Sequence, residues 1–241
     1  MVKTLDRRKL LKAGIGAGGM ALVASALPAR VFAQASSLSE RDRKVLDIAK
    51  REVERAGTAL WRRDIAGIAD FSTHSSFPRF HFADLEKGQV RSFLVAHGLG
   101  SDPGHTGFLQ WFSNEPGSNA TARGAYVTWE WYNGKYGVSI RLGGLDSDDS
   151  NTLDRAIVMH PAAYATQEHV AKWGKLGRSN GCFAMGPDDF NEALWHLSGG
   201  RLLFADKLGL GPEYVPPVAP APMPGGSELE ESTPAAPIAS S

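Results

Sequence analysis

From Ser39 onward the apolar positions keep a helical rhythm: Val45, Ile48, Ala49, Val53 and Ala56 recur at three- and four-residue spacing and share one face. Ser39 and Asp42 resemble a capping box at the start of that helix, and Gly57 supplies a stop. The rhythm then changes to two. Arg79–Leu85 and Val90–His97 flank Glu86-Lys87-Gly88-Gln89, a hairpin pattern with glycine in its loop. Ala125–Tyr132 and Lys135–Leu142 are β-rich runs joined by Asn133-Gly134, a pair that tolerates the positive φ values of a two-residue turn. Ala156–His160 reads as a short buried strand and Arg201–Ala205 as a last one. Between them Pro187–Leu197 reads as a helix opened by Pro-Asp-Asp and closed by Gly199-Gly200. The sum is a mainly β domain with helices at its margins, built by hairpins rather than by βαβ units.

The two ends of the chain follow other rules. Leu5-Asp6-Arg7-Arg8-Lys9-Leu10-Leu11-Lys12 is a twin-arginine signature, followed by a glycine-rich, weakly apolar stretch and by Val31-Phe32-Ala33, a small-residue cleavage pattern. That stretch is shorter than the roughly 20 apolar residues a membrane span needs. Residues 1–33 are therefore expected to be a twin-arginine signal peptide. The mature protein would be exported to the periplasm, with no transmembrane anchor after cleavage. The formal charge of zero hides an asymmetry, because residues 1–33 hold six Lys and Arg against one acidic residue. The stretch from Leu208 carries Glu213, Glu228, Glu230 and Glu231 with no Lys or Arg, which leaves the body nearly neutral. It lacks the basic excess of a nucleic-acid binder. Residues 34–64 read as an N-terminal helical segment, 65–207 as one domain and 208–241, rich in Pro and Ala, as a disordered tail.

The chain has one cysteine. Cys182 lies in Arg178-Ser179-Asn180-Gly181-Cys182, 22 positions after His160. In an exported protein a lone thiol is an inert buried residue, an intermolecular partner or a nucleophile. A free thiol has a pKa of about 8.5 and attacks as its thiolate, so a catalytic cysteine needs a histidine, nearby positive charge and backbone N–H groups for the developing oxyanion. Gly181 lets the chain approach closely and expose its amides, Arg178 offers charge for the thiolate or a grip for a substrate carboxylate, and His160 offers a proton acceptor. The residues by themselves leave the alternative open: a small hydrophobe at 182 and a satisfied core histidine at 160.

Ser179-Asn180-Gly181-Cys182 preceded by His160 resembles the catalytic motif of the L,D-transpeptidase (YkuD-type) family, a histidine followed some twenty residues later by Ser-His/Asn-Gly-Cys. Val95-Ala96-His97-Gly98, Phe112-Ser113-Asn114, Gly124-Ala125-Tyr126, the Gly134-Lys135 hairpin, Arg141-Leu142-Gly143-Gly144-Leu145, Arg155-Ala156-Ile157-Val158-Met159-His160 and Gly177-Arg178-Ser179-Asn180-Gly181-Cys182 extend the likeness to the divergent murein branch, over roughly residues 65–206. The resemblance implies a β-sandwich or barrel catalytic domain. It also implies an exported enzyme that makes a thioester with a peptidoglycan tetrapeptide stem, releases D-Ala and passes the acyl group to an amine, without cofactor or metal. By position, Cys182 would be the nucleophile, His160 the base and Ser179 the residue that orients the imidazole, with the Gly181 and Cys182 amides as oxyanion hole. Arg178, Asn180, His97, Ser113 and Asn114 are the candidate substrate contacts. The commoner motif has glycine after the histidine and arginine two places after the cysteine; here Pro161 and Ala184 stand there.

Other readings stay in view. Water as acceptor would make the protein an L,D-carboxypeptidase, and a protein lysine would make it an attachment or release enzyme. A zinc hydrolase would use His97, His160 and Cys182, and a domain without catalysis would bind cell wall. Trp129 and Trp131, two apart on a strand, are expected to share a face. His74, His81, His105, His169 and His196 read as surface or edge residues. Asp146, Asp148 and Asp149 with Asn151 read as a solvated turn, because the glycine and closing glutamate of a calcium loop are missing.

Overall fold

A computed structural model describes residues 38–215. The signal-peptide reading and the chain after 215 lie outside the described residues. Helix α1, Glu40–Ala56, starts where the polar pattern places it: the Ser39 hydroxyl accepts the Asp42 N–H at 3.0 Å, and Gly57 takes φ +53° at the far end. Val45, Leu46, Ala49 and Val53 are buried against the sheet. Val45, Leu46 and Val53 each contribute about 1.5–3 kcal/mol. The helix is thus part of the domain rather than a separate leading segment.

Eight strands follow: β1 Ile65–Asp70, β2 Phe80–Asp84, β3 Gln89–Phe93, β4 Gly124–Gly134, β5 Gly137–Gly144, β6 Val158–Pro161, β7 Phe183–Met185 and β8 Leu202–Asp206. They form one curled sheet in the order β3-β2-β1-β8-β4-β5-β6-β7. Alternation along each strand sends Ala66, Ile68, Val127, Leu202 and Phe204 to the α1 face. Phe80, Phe82, Tyr126 and Leu203 go to the other face, under α3, Pro187–Leu197, which buries Phe190, Ala193 and Leu197 there.

Several expectations need correction. Two strand pairs are parallel, β1 with β8 and β6 with β7, and the second pair is joined through helix α2, Gln167–Trp173, so one crossover unit stands beside the hairpins. Its strands are four and three residues long, too short to show a period. In the β4–β5 hairpin the turn is Lys135-Tyr136, with Gly134 paired to Gly137. The positive φ, +80°, falls on Gly137 rather than on Asn133, as in a turn of ordinary residues closed by a glycine bulge. A second irregularity between Thr128 and Trp131 breaks the alternation of β4. Trp129 therefore packs with the α1 face, whereas Trp131 lies exposed beside Leu194 and Trp195 of α3.

The domain also runs past 207. The Asp70 carboxylate accepts the N–H groups of Leu208 and Leu210 at 2.8 and 2.7 Å, Leu210 is buried, and the Tyr214 ring stacks on His74 at 4.0 Å. Residues 208–214 are therefore structure, not tail. His74 and His81 are buried rather than superficial: His74 meets Ser76 and the Thr106 carbonyl, and His81 meets Ser92. The acidic turn is likewise built in. Asp146 takes a two-pronged pair from Arg55, Asp148 pairs with Arg123, and Asp149 is buried.

Candidate active site

The Cys182 segment is held from both sides. Met159 and His160 of β6 pair in parallel with Phe183 and Ala184, and extending that register sets Val158 opposite Cys182. His160 is thus paired two residues beyond Cys182, and the thiol lies against the backbone that leads into the histidine's strand. On the other side Ser179 donates its N–H to the His97 carbonyl at 2.9 Å and accepts from Leu99 at 2.8 Å, while Ala96 donates to Ala184. Two glycines permit this packing. A Cβ on Gly98 would lie 2.3 Å from the Asn119 carbonyl and 2.7 Å from the Gly181 Cα. Gly181 itself has φ +111°, and its Cβ would meet the Ala120 oxygen at 2.8 Å.

Ser179 does something other than orient the imidazole. Its hydroxyl donates to the Cys182 carbonyl at 2.6 Å and accepts the Gly181 N–H at 3.2 Å, closing the loop on itself. The Gly181 amide is consequently engaged in this structure rather than free for an oxyanion. The His160 ring is oriented by its own strand: Nδ1 lies 3.0 Å from the Pro161 carbonyl. A carbonyl only accepts, so Nδ1 carries the hydrogen, and the neutral ring keeps its lone pair at Nε2. Tyr136, from the tip of the β4–β5 hairpin, stacks on that ring at 4.5 Å. Burial pulls His160 below the usual histidine range. It also pushes the Cys182 thiol up, against the Val158 amide and Arg155, which favour the thiolate. The resting pair is thus thiol and neutral imidazole, with the thiol 3.8 Å from the Ala156 carbonyl. Ala156 holds a left-handed φ of +52°, a position costly for a residue with a Cβ.

A cleft of about 470 Å³ opens beside the sulfur, lined among others by Asn119, Lys135, Tyr136, Arg155, Asn180 and Cys182. Of the expected substrate contacts, only Asn180 is there. Arg178 instead donates to the carbonyls of Asp102 and Pro103. His97 is 1 % exposed, because its Nδ1 accepts from the buried Arg79 at 2.7 Å and its Nε2 lies 3.5 Å from Asp102. Burial pulls it down to about 4, so it is neutral at pH 7. Ser113 and Asn114 line a different hollow with Phe112, Arg123 and Asp148. Asn114 spends its amide on Ser147 and Ser150, and Ser113 accepts from the Glu115 N–H, so both fasten loops. Among the described residues no three His, Cys, Asp or Glu groups are placed to hold a metal ion. Lys135, Tyr136 and Arg155 had no assigned role in the sequence reading. Arg155 stands in the family-like run that ends in His160, with no role of its own assigned to it there.

The family model described as L,D-transpeptidase catalytic domain (YkuD_2) matches residues 38–205, from α1 into β8. No curated protein matches in sequence. Among solved structures, an L,D-transpeptidase from Mycobacterium smegmatis is 15 % identical over 59 % of this chain and 58 % of its own, with a TM-score of 0.37. An L,D-transpeptidase from Stackebrandtia nassauensis is 13 % identical over 66 % of this chain and 64 % of its own, TM-score 0.36. The helical cell shape determining protein Pgp2 from Campylobacter jejuni is 11 % identical over 70 % of this chain and 57 % of its own, TM-score 0.38. The chain thus spans about three fifths of the length of these structural relatives. The family match, which runs over most of the chain and contains both the cysteine loop and the histidine strand, shows that this protein belongs to the L,D-transpeptidase catalytic-domain family.

Proposed function

We propose that the protein is an exported cysteine acyltransferase that acts on peptidoglycan tetrapeptide stems and joins the acyl group to an amine. What carries the reading is one juxtaposition: the chain's single thiol borders an open cleft, in the segment that runs beside the strand of a histidine whose Nδ1 is committed to the Pro161 carbonyl. In the first half-reaction His160 Nε2 takes the thiol proton as sulfur adds to the carbonyl carbon of the third stem residue. The tetrahedral oxyanion collapses, the C–N bond breaks, and His160 returns the proton to the departing D-Ala amine. A thioester on Cys182 remains. In the second half an amine adds to that thioester, His160 removes its proton, the C–S bond breaks, and the thiol is regenerated. A positioned base contributes about 10²–10⁴-fold to such steps. Because thiol and imidazole rest neutral, proton transfer accompanies attack rather than preceding it.

The test is the intact mass of the mature protein after mixing with a tetrapeptide muropeptide. An adduct equal to the tripeptide acyl group is expected on the wild type, and none on Cys182→Ala. An adduct on the variant, or no adduct on a folded wild type, would remove the reading. Products then separate transfer from hydrolysis. Cross-linked dimer is expected with acceptor in excess, whereas tripeptide and free D-Ala alone would make the protein an L,D-carboxypeptidase with the same cysteine and histidine.

A further inference from the structure

Arg155 stands in the turn before β6 and reaches the wall of the Cys182 cleft half-buried. Its Nη1 donates to the Ser113 carbonyl at 2.7 Å, and its Nη2 to the Ser118 hydroxyl at 3.2 Å and to the Ala120 carbonyl. All three acceptors are neutral, and two of the five guanidinium N–H groups are left over. Arg55, Arg123 and Arg201 each find an aspartate, but Arg155 makes no salt bridge among the described residues. Its Nη2 lies 3.2 Å from the point where a Gly181 Cβ would project, so the charge sits against the backbone next to the nucleophile. The other charged residues of the cleft are Lys135, at the hairpin tip, and the exposed Asp154.

A half-buried cation whose hydrogen bonds all go to neutral acceptors is incompletely compensated, and burial pulls the guanidinium below its ordinary range against the smaller opposing influence of Tyr126, Cys182 and Glu115. An anion entering the cleft would accept charge-assisted hydrogen bonds from the N–H groups left on Nε and Nη1. We propose that Arg155 binds the carboxylate of the departing residue of the acyl donor, so that Cys182 cuts only a bond next to a free C-terminus. Only the amide nitrogen and one Cα separate the attacked carbon from that carboxylate, which brings it within reach of a charge beside Cys182. The inference rests on the acyl-transfer reading for the bond that is cut, but the carboxylate site is visible without turnover.

The experiment measures protection of the single thiol. Alkylation of the mature protein by iodoacetamide is followed by mass in the presence of N-acetyl-D-alanine or of N-acetyl-D-alaninamide. The acid is expected to protect Cys182 at concentrations where the amide does not. Arg155→Gln should reduce that preference about tenfold, and Arg155→Lys should keep part of it. Equal protection by acid and amide, no protection by either, or a preference that survives Arg155→Gln overturns the proposal. Should Arg155→Gln fail to fold, Lys135→Gln decides the assignment: a preference kept there upholds Arg155, and one lost there transfers the site to Lys135. A failed acyl-adduct experiment with intact carboxylate preference would reject the transferase reading and leave the site standing.

Discussion

At Ser179 one hydroxyl serves two backbone groups of adjacent residues, the Cys182 carbonyl and the Gly181 N–H. Ser179→Ala strips both of a partner, at about 1–3 kcal/mol for a buried group left unpaired. Its expected signature is a lower kcat with an unchanged pH midpoint, because the hydroxyl hydrogen does not go to the imidazole. A shifted midpoint would put Ser179 on His160 after all. The thiol itself gives a second measurement. Burial holds Cys182 protonated, so iodoacetamide labelling should accelerate only toward and above pH 9. A labelling plateau already reached by neutral pH would mean a preformed thiolate and imidazolium. Residues of this kind show the reach of sequence reasoning. Cys182, Asn180 and His160 were legible because a lone cysteine after glycine and a histidine at the end of an apolar run are local signals. His97 was misread because its partners, Arg79 and Asp102, come from separate stretches, and burial with both could not be seen from spacing. Arg155 was silent for a like reason, since its role depends on the 113–120 segment folding over it.

The same division holds among the elements. Helices α1 and α3 and the β2–β3 hairpin announce themselves through caps, period and turn glycine, and each forms close to where its pattern ends. β1 was missed because Ile65–Asp70 is buried almost throughout, without polar alternation, and β7 because three residues carry no period. The β4–β5 hairpin was found but its turn was set two residues early, and the difference matters to function. With the turn at Lys135-Tyr136, the tyrosine at the tip covers the His160 ring. Tyr136→Ala should rehydrate that ring and raise the His160 pKa toward its ordinary value, because burial is the main cause of its depression. The imidazole titration by NMR should move to higher pH. A titration identical to wild type would show that Tyr136 does not control solvent access there. In the cysteine loop, Gly181→Ala combines a left-handed φ with a Cβ too close to Ala120. Strain of about 1–3 kcal/mol is expected, together with loss of acylation; a normally acylated variant would show that the loop tolerates rearrangement.

For the molecule as a whole, buried titratable groups set the dependence of stability on pH. Burial pulls His81 and His97 down to about 4, so their contribution is present above the unfolded histidine pKa of about 6.5 and is lost as pH falls through 4. Asp149 behaves oppositely. Its Oδ2 is buried without a partner and burial pushes it up to about 7, so its contribution is present below the unfolded pKa of about 3.9 and is lost as pH rises to 7. Two histidines outnumber one aspartate, and the urea midpoint should rise between about pH 4 and 6.5. Asp149→Asn should make that rise steeper; a midpoint independent of pH in this window would contradict the assignment. The last strand has a further consequence, for the order of assembly. β8 is the centre of the sheet, parallel to β1 on one side and antiparallel to β4 on the other. Before Leu202–Asp206 docks, β3-β2-β1 and β4-β5-β6-β7 are two fragments with bare inner edges. Such distant pairing makes for slow, late closure. The nucleophile loop is gripped by Ala96–Leu99 from the first fragment and by β6 from the second, so the full set of neighbours around the thiol requires both fragments to be in place.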